Sequence, residues 1–180
     1  MKQYTSSTPN LTNVEGCFNG CTELKNIKGD FSKITSTVNF LTGCSNLIEF
    51  DASLASLVDG NNTFQSCQRL KTIKTDLSKL TTANGIFSAC TELLDYTGNL
   101  SSFTNADGSG LFKNCIKLQN FNGNLSNLLR IDNMFNTKHL ETFYGSMEKV
   151  AVLDGFFSGN TNLRQISSNF KSATSVVNML

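Results

Sequence analysis

The sequence contains no tryptophan, one proline and one histidine, and only 16% of its 180 residues are charged. The 15 basic and 14 acidic side chains leave a formal net charge of +1, which argues against nucleic-acid binding because phosphate neutralisation needs a basic surface. No apolar run approaches the ~20 residues that a transmembrane helix needs. Residues 1–10, MKQYTSSTPN, contain no apolar segment typical of a signal peptide. We therefore expect no nucleic-acid partner and no membrane insertion.

Sequence motifs for catalysis are also missing. No G-x-S-x-G, H-E-x-x-H or P-loop pattern occurs. The single histidine, His139, follows Thr137 and Lys138 in a turn-forming segment, where a surface position is expected. Only Cys17 and Cys21 lie close together in sequence, whereas structural zinc sites use paired ligands of the CxxC kind. We expect no enzymatic activity, no bound metal and no cofactor.

The sequence does contain a repeat. Cys21, Cys44, Cys67 and Cys90 follow one another at intervals of 23 residues, and Cys115 comes 25 residues later. Each belongs to the pattern Phe-x-x-Cys-x-x-Leu-x-x-(Ile, Phe or Tyr), with leucine as the leading residue of one copy. The seven copies, of which the sixth is one residue short, begin at Phe18, Leu41, Phe64, Phe87, Phe112, Phe135 and Phe157. A fixed period of this length is the mark of a repeat protein.

All 14 phenylalanines and all 6 cysteines occupy apolar positions of the repeat, so we expect them to be buried. One repeat cannot bury its own apolar face, but stacked repeats share a continuous core. The spacing of three between apolar positions would suit a helix, yet β-branched, aromatic, Asn, Gly and Ser residues are too frequent for stable helices. The sequence therefore predicts a right-handed repeat solenoid of about seven coils of about 23 residues. Each coil would carry one short parallel β-strand and return through turn, 3-10 or extended segments.

Two further positions of the repeat predict corners and the depth of the core. Two residues before each leading residue the chain carries only glycine or asparagine, which predicts a left-handed backbone there. These residues are Gly16, Asn39, Asn62, Gly85, Gly110, Asn133, Gly155 and Asn178. A second position, within the predicted strand, lacks a large aliphatic residue, so we expect a thin core beneath it. It is occupied by Gly29, Ala52, Thr75, Gly98, Gly123, Gly145 and Ser168.

The cysteines of successive copies admit three interpretations: buried free thiols, disulfides or a metal site. Equivalent residues of adjacent coils should lie about 4.8 Å apart with parallel side-chain directions. A disulfide needs Cβ atoms that converge to within about 3.5–4.5 Å. The spacing therefore favours buried free thiols that act as small apolar side chains.

The pattern Phe-x-x-Cys-x-x-Leu-x-x-Ile, clearest in Phe64–Ile73 and Phe87–Tyr96, resembles the cysteine-containing, Treponema-type leucine-rich repeats of bacterial BspA-like surface proteins. The resemblance predicts a leucine-rich-repeat-like solenoid as a single domain over residues 11–180, after a polar leader at residues 1–10. It implies an extracellular or cell-surface protein with a non-catalytic adhesion role. Because no export signal is visible, the alternative is a structural or receptor-binding component of a larger assembly, such as a phage virion fibre.

Alternation of side chains along each predicted strand defines an outward face. This face is polar, of mixed charge, and carries one aromatic residue, Tyr144. Its candidate binding residues are Asn26, Lys28, Asp51, Thr72, Lys74, Asp95, Thr97, Asn120, Asn122, Thr142 and Tyr144. We expect this face to bind a protein or glycan partner; an ordinary solvated sheet surface is the other interpretation.

Two segments lie outside the regular pattern. The insertion in residues 105–110, Asn-Ala-Asp-Gly-Ser-Gly, resembles a calcium loop, but Phe103 and Asn114 stand where the terminal ligands would be. We expect a protruding turn there, with ion binding as the alternative. The apolar segment Val176–Leu180 lies within a coil. It predicts continuation in a longer chain, a contact in a homo-oligomer, or a frayed last coil.

Overall fold

The computed structural model describes residues 2–7, 10–103, 110–131, 134–135 and 137–180. Within these residues the chain forms a parallel β-solenoid of about seven turns without a helix. The solenoid class and the single strand per coil, both predicted from the repeat, are confirmed. None of the described residues forms a helix long and apolar enough to cross a bilayer.

Each coil places one short strand on the same side of the column. The strands are β1 (Gln3–Ser7), β2 (Asn26–Asp30), β3 (Glu49–Ser53), β4 (Thr72–Ile73), β5 (Asp95–Asn99), β6 (Asn120–Asn124), β7 (Thr142–Ser146) and β8 (Gln165–Asn169). Paired strands are parallel and set equivalent repeat positions side by side, as Ile27 beside Phe50 and Phe121 beside Phe143. The first strand comes from the predicted leader and pairs with β2. The boundary between leader and domain at residue 10 stays a prediction.

The strands form two sheets, β1–β3 and β4–β8. At the junction, the Thr75 hydroxyl donates to the Ala52 carbonyl and accepts from the Leu54 N–H, both at 3.2 Å. At this junction the Thr75 side chain links the two coils, whereas elsewhere in the sheets backbone groups link adjacent coils. The column continues past the junction because parallel bridges on another side join Ser36 to Asp59 and Asp59 to Thr82.

The return segments are tight turns. In the second coil, the N–H of Cys44 donates to the carbonyl of Leu41 at 3.0 Å, and the N–H of Leu47 donates to the carbonyl of Cys44 at 2.9 Å. These bonds between residues three apart explain the apolar spacing of three, because each turn directs one side chain inward. Other N–H groups of the segment reach the next coil, as Gly43 N–H does to Gln65 O at 2.8 Å.

The corner occupied by glycine or asparagine is left-handed, as predicted. The φ angles are 62° at Gly16, 55° at Asn39, 55° at Asn62, 62° at Gly85, 65° at Gly155 and 50° at Asn178. Asn133 lies outside the described residues, and so does the residue before Gly110, on which the φ angle of Gly110 depends.

A second left-handed position directly precedes the cysteine position, and the sequence analysis did not identify it. Its members are Gly20, Gly43, Ser66, Ala89, Asn114 and Gly159. The φ angle is 61° at Ser66 and 60° at Ala89, where a Cβ crowds the backbone. This position escaped notice because serine and alanine do not signal a left-handed residue.

The buried side chains form one continuous core along the column. Every phenylalanine except Phe18 and Phe170 is buried. Aromatic rings of successive strands stack on one another, with centroids 5.3 Å apart for Tyr96 and Phe121 and 5.1 Å apart for Phe121 and Phe143.

The expectation of a thin core beneath the small strand residues is wrong in the three coils where a glycine follows an aromatic residue by two positions. A Cβ added to Gly98, Gly123 or Gly145 would lie 2.5, 2.5 and 2.3 Å from the tip of Tyr96, Phe121 and Phe143, respectively. The ring therefore turns under the glycine and fills the space that an aliphatic side chain would take. Glycine is required at these positions because it lets the backbone approach the ring.

We expect Phe87→Ala to lower the free energy of unfolding by about 3–5 kcal/mol, the range for truncating a buried aromatic residue. Phe87 is fully buried, whereas Asn122 is exposed on the sheet, so Asn122→Ala should cost under about 0.5 kcal/mol. Urea unfolding of both variants measures the difference. Similar losses would contradict the assignment of inner and outer faces.

We expect Gly145→Ala to lower the free energy of unfolding by about 1–3 kcal/mol, as overpacking does, because the Phe143 ring must leave its place.

The same steric explanation can be tested with a pair of substitutions. Phe143→Ile with Gly145→Thr copies the Ile73 and Thr75 pair of the coil that contains β4. In the Phe143→Ile background, Gly145→Thr should be tolerated better than in the parent chain. Unfolding curves of the parent chain, Phe143→Ile, Gly145→Thr and the double variant give this coupling energy. Strictly additive losses of unfolding free energy would refute the steric explanation.

Candidate binding face of the parallel sheet

The candidate binding residues all lie on β2–β7 or directly beside β4, and none of them is fully buried. Their strand positions alternate with buried residues, as in β5, where Tyr96 is buried between Asp95 and exposed Thr97. The candidate side chains therefore lie on the outer face of the sheet, as the alternation predicts. The binding role of these residues stays a prediction.

The part of this face on β2 and β3 is charged and internally paired. The Lys28 ammonium lies 3.6 Å from the Glu49 carboxylate and 3.7 Å from the Asp51 carboxylate. All three side chains are largely solvent-exposed, so these ion pairs contribute little stability. These ion pairs nevertheless satisfy the charged groups of this part of the face, so the groups are less available to a charged ligand.

On β5–β7 the first residue of each strand belongs to a hydrogen-bonded row. The Asn120 amide donates to the Asp95 carboxylate at 2.7 Å, and the Thr142 hydroxyl donates to the Asn120 side-chain oxygen at 2.7 Å. Strand pairing places these three residues side by side. The row is therefore held in one arrangement before any ligand binds.

The third residue of each strand belongs to a second row, which we call the open row: Thr97, Asn122, Tyr144 and Ser167. All four side chains are exposed. Within the described part of the chain, none of them forms a side-chain hydrogen bond, an ion pair or a ring contact. Their hydroxyl and amide groups are therefore available to a partner.

Two cavities flank Tyr144 on this face. One has a volume of about 470 Å³ and is lined by Ile73, Tyr96, Phe121 and eight of the candidate residues. The eight are Thr72, Lys74, Asp95, Thr97, Asn120, Asn122, Thr142 and Tyr144. The other, of about 400 Å³, is lined by Asn122, Tyr144, Ser167 and the strand ends near Gly123, Gly145 and Asn169. Asn26, Lys28 and Asp51 lie outside both cavities.

The sequence analysis missed the contribution of the last strand, β8. Ser167 pairs with Tyr144 in the sheet and lines the second cavity with Ser168 and Asn169. The repeat register did place Ser167 in the open-row position of the seventh copy. It was missed because the candidate residues ended at Tyr144 in the sixth copy and included none from the seventh.

The cysteines form a second set of potentially reactive groups. All six thiols are free, and Cys44, Cys67, Cys90 and Cys115 are buried. Each buried thiol donates to the carbonyl of the leading residue one coil earlier, at 3.0, 3.3, 3.1 and 3.0 Å, respectively. Burial raises the pKa of Cys44 to about 11 and that of Cys115 to about 12, and it raises the pKa of Cys67 and Cys90 as well.

The expectation that every cysteine is buried is wrong for Cys17 and Cys21, which are exposed. They lie in the first coil, where β1 covers the strand side but no full coil lies over the turn segment. Both line a cavity of about 380 Å³ with Phe18 and Leu24.

Four further observations concern groups that could take part in catalysis or ion binding. His139 is exposed, as expected, and its backbone N–H donates to the Thr137 hydroxyl at 3.1 Å. The described residues contain no group of three or more His, Cys, Asp and Glu side chains that could hold a metal ion. The Tyr96 hydroxyl is buried without a partner among the described residues, and burial raises its pKa. The predicted loop at residues 105–110 lies, apart from Gly110, outside the described residues.

No protein-family model matches this chain, and no curated protein matches its sequence. Two solved structures are similar. A leucine-rich repeat protein of T. pallidum (TpLRR) has 19% identity and a TM-score of 0.50, over 91% of this chain and 68% of that protein. A leucine-rich repeat protein from Bacteroides ovatus has 14% identity and a TM-score of 0.29, over 95% of this chain and 70% of that protein. The first comparison shows a leucine-rich-repeat-like fold and carries no statement about the partner.

We expect thiol labelling of the native protein to separate the six cysteines into two classes. Cys17 and Cys21 are exposed and should react first, whereas the four buried thiols should react only after unfolding, because the thiolate is the nucleophile and burial disfavours it. Titration with an aromatic disulfide reagent, with and without denaturant, counts both classes. Rapid reaction of more than two thiols without denaturant would contradict the burial of the cysteine positions.

Proposed function

We propose that this protein is a non-catalytic binding module, of the kind found in BspA-like bacterial surface proteins, whose partner lies on the outer face of β5–β8. The single observation that carries this proposal is the open row. Four adjacent, exposed side chains have no partners within the described chain, although they border two cavities. A surface kept only for solubility has no need for a tyrosine between two cavities.

The supporting scaffold is suited to recognition. Backbone hydrogen bonds between parallel strands fix the spacing of the open row. The neighbouring row on the same face, Asp95–Asn120–Thr142, is already hydrogen-bonded. A rigid site loses little conformational entropy when it binds, which favours affinity from modest contacts. Adhesion at a bacterial cell surface, with a protein or glycan partner, is the role that this arrangement supports best.

An alternative proposal makes the solenoid a rigid component of a larger assembly, such as a virion fibre. An apolar cavity of about 430 Å³ in the last coil favours it, lined among others by Phe157, Leu163, Ile166 and Leu180. A second copy or another chain stacked there would cover Leu163, Ile166 and Leu180, which are partly or fully exposed. Light scattering tests this alternative, since a stable oligomer supports it and a monomer at high concentration opposes it.

The binding proposal is tested with a charge placed in the cavity. Thr97→Arg puts a long cation at the β5 end of the open row, beside the larger cavity, and Gln68→Arg puts the same side chain on an exposed position away from the sheet. We expect saturable binding to at least one of a panel of immobilised cell-surface and extracellular glycoproteins. Thr97→Arg should weaken it by at least about tenfold, which is ~1.4 kcal/mol.

Binding that Thr97→Arg and Gln68→Arg leave equally intact would contradict the proposed location. Loss of binding in both variants would point to a general effect of charge and would contradict it too. Circular dichroism and urea unfolding of both variants show whether the fold is retained.

A further inference from the structure

We propose that the outer face of β5–β8 binds a neutral glycan chain, with one sugar ring against Tyr144 and its neighbours hydrogen-bonded to Thr97, Asn122 and Ser167. This inference rests on the proposed function and narrows it to one class of partner. It is carried by the charge, the chemistry and the spacing of the open row.

The charge distribution favours an uncharged ligand. Among the residues that line the two cavities, only Lys74 and Asp95 are basic or acidic. Asp95 already accepts a hydrogen bond from Asn120. The charged part of the sheet, around Lys28, lies on other strands and is internally paired. A polyanionic glycan or a strongly charged peptide would find no complementary cluster here.

The side-chain chemistry matches sugar hydroxyls. Hydroxyl and primary amide groups both donate and accept hydrogen bonds, and so do the hydroxyls of a sugar. The open row offers such groups at Thr97, Asn122 and Ser167 and has no internal use for them. A protein interface would instead be expected to centre on several buried aromatic or arginine side chains.

Tyr144 supplies the apolar contact that a sugar face needs. Its side chain is 38% exposed and forms part of the wall of both cavities. Asn122 and Ser167 lie on the paired strands on either side. An aromatic ring with a polar tip can contact the C–H groups of a sugar while its hydroxyl stays in water. A single ring of this kind suits one sugar unit at a time and predicts weak affinity per site.

The spacing of the row suits a linear chain that crosses the strands. Parallel strands lie about 4.8 Å apart, so the open row, from β5 to β8, extends over about 14 Å. The equivalent side chains repeat at that interval because the strands pair in register. A polymer with a short repeat can therefore meet equivalent donors and acceptors along its length.

The test uses defined tetrasaccharides with the full chain. Neutral β-linked tetrasaccharides of glucose, N-acetylglucosamine, galactose and mannose are titrated by calorimetry and by ligand-observed NMR, beside a sulfated heparin tetrasaccharide. We expect at least one neutral tetrasaccharide to bind, with an affinity that changes less than about twofold between roughly 50 mM and 500 mM salt, since no ion pair is involved. Tyr144→Ala should weaken this binding by at least about tenfold.

Two variants separate contact from fold. Asn122→Ala should weaken sugar binding by about threefold or more while leaving the unfolding curve unchanged, because the side chain is exposed and unpartnered. Gln68→Ala, at an exposed position away from the sheet, should leave sugar binding unchanged.

Absence of binding to every neutral tetrasaccharide, binding of the sulfated sugar alone, or binding that Tyr144→Ala does not change would each overturn the inference. The proposed function fails separately. If glycoprotein binding is lost in Thr97→Arg and persists after enzymatic removal of the glycans, the face binds protein, and only the glycan inference is wrong. If neither glycoproteins nor sugars respond to Thr97→Arg, both are wrong.

Discussion

Backbone hydrogen bonds between successive coils are the interaction on which the rest of this structure depends. They occur on the strand side, through parallel pairing, and on the turn side, where Gly43 and Leu41 donate to Gln65 and Thr63 of the next coil. Because both sides are bonded, a coil cannot rotate or slip against its neighbour without losing bonds on every side. Each repeat position is thereby stacked on its own equivalent, and a residue type that suits one coil suits them all.

The buried cysteines show how this constraint selects side chains. A thiol at this position is small enough to stack on the next thiol and can donate to the carbonyl of the previous coil. The sixth coil, one residue short, solves the same problem with Thr137, whose hydroxyl donates to Ile116 O at 3.0 Å. In the seventh coil the Asn160 amide occupies the position. Its nitrogen donates to Phe157 O at 3.1 Å, and its oxygen accepts from the Leu140 N–H at 3.1 Å. The position therefore selects for a small or compact donor rather than for sulfur chemistry.

The same stacking creates the candidate binding face. Outward side chains repeat at the strand spacing, so neighbours either satisfy one another or remain open. On β2 and β3 they are opposite charges and pair; at the strand starts of β5–β7 they are carboxylate, amide and hydroxyl and bond in a row. The open row, which includes Tyr144, keeps unused donors and acceptors among the described residues. The polar groups of the open row are available to a ligand because the side chains on the adjacent strands do not hydrogen-bond to them.

The period, the coil, the buried phenylalanines and the left-handed corner at positions such as Asn39 can be predicted from the residues alone, because a pattern repeated seven times averages out local exceptions. The outward side chains can be predicted too, since strands alternate. Three features emerge only from the folded coils: the ring turned under glycine, as Phe143 is under Gly145; the exposure of Cys17 and Cys21; and the division of the sheet at Thr75. These features depend on what lies one coil above or below, and contacts between coils are set by packing that a one-dimensional pattern does not contain.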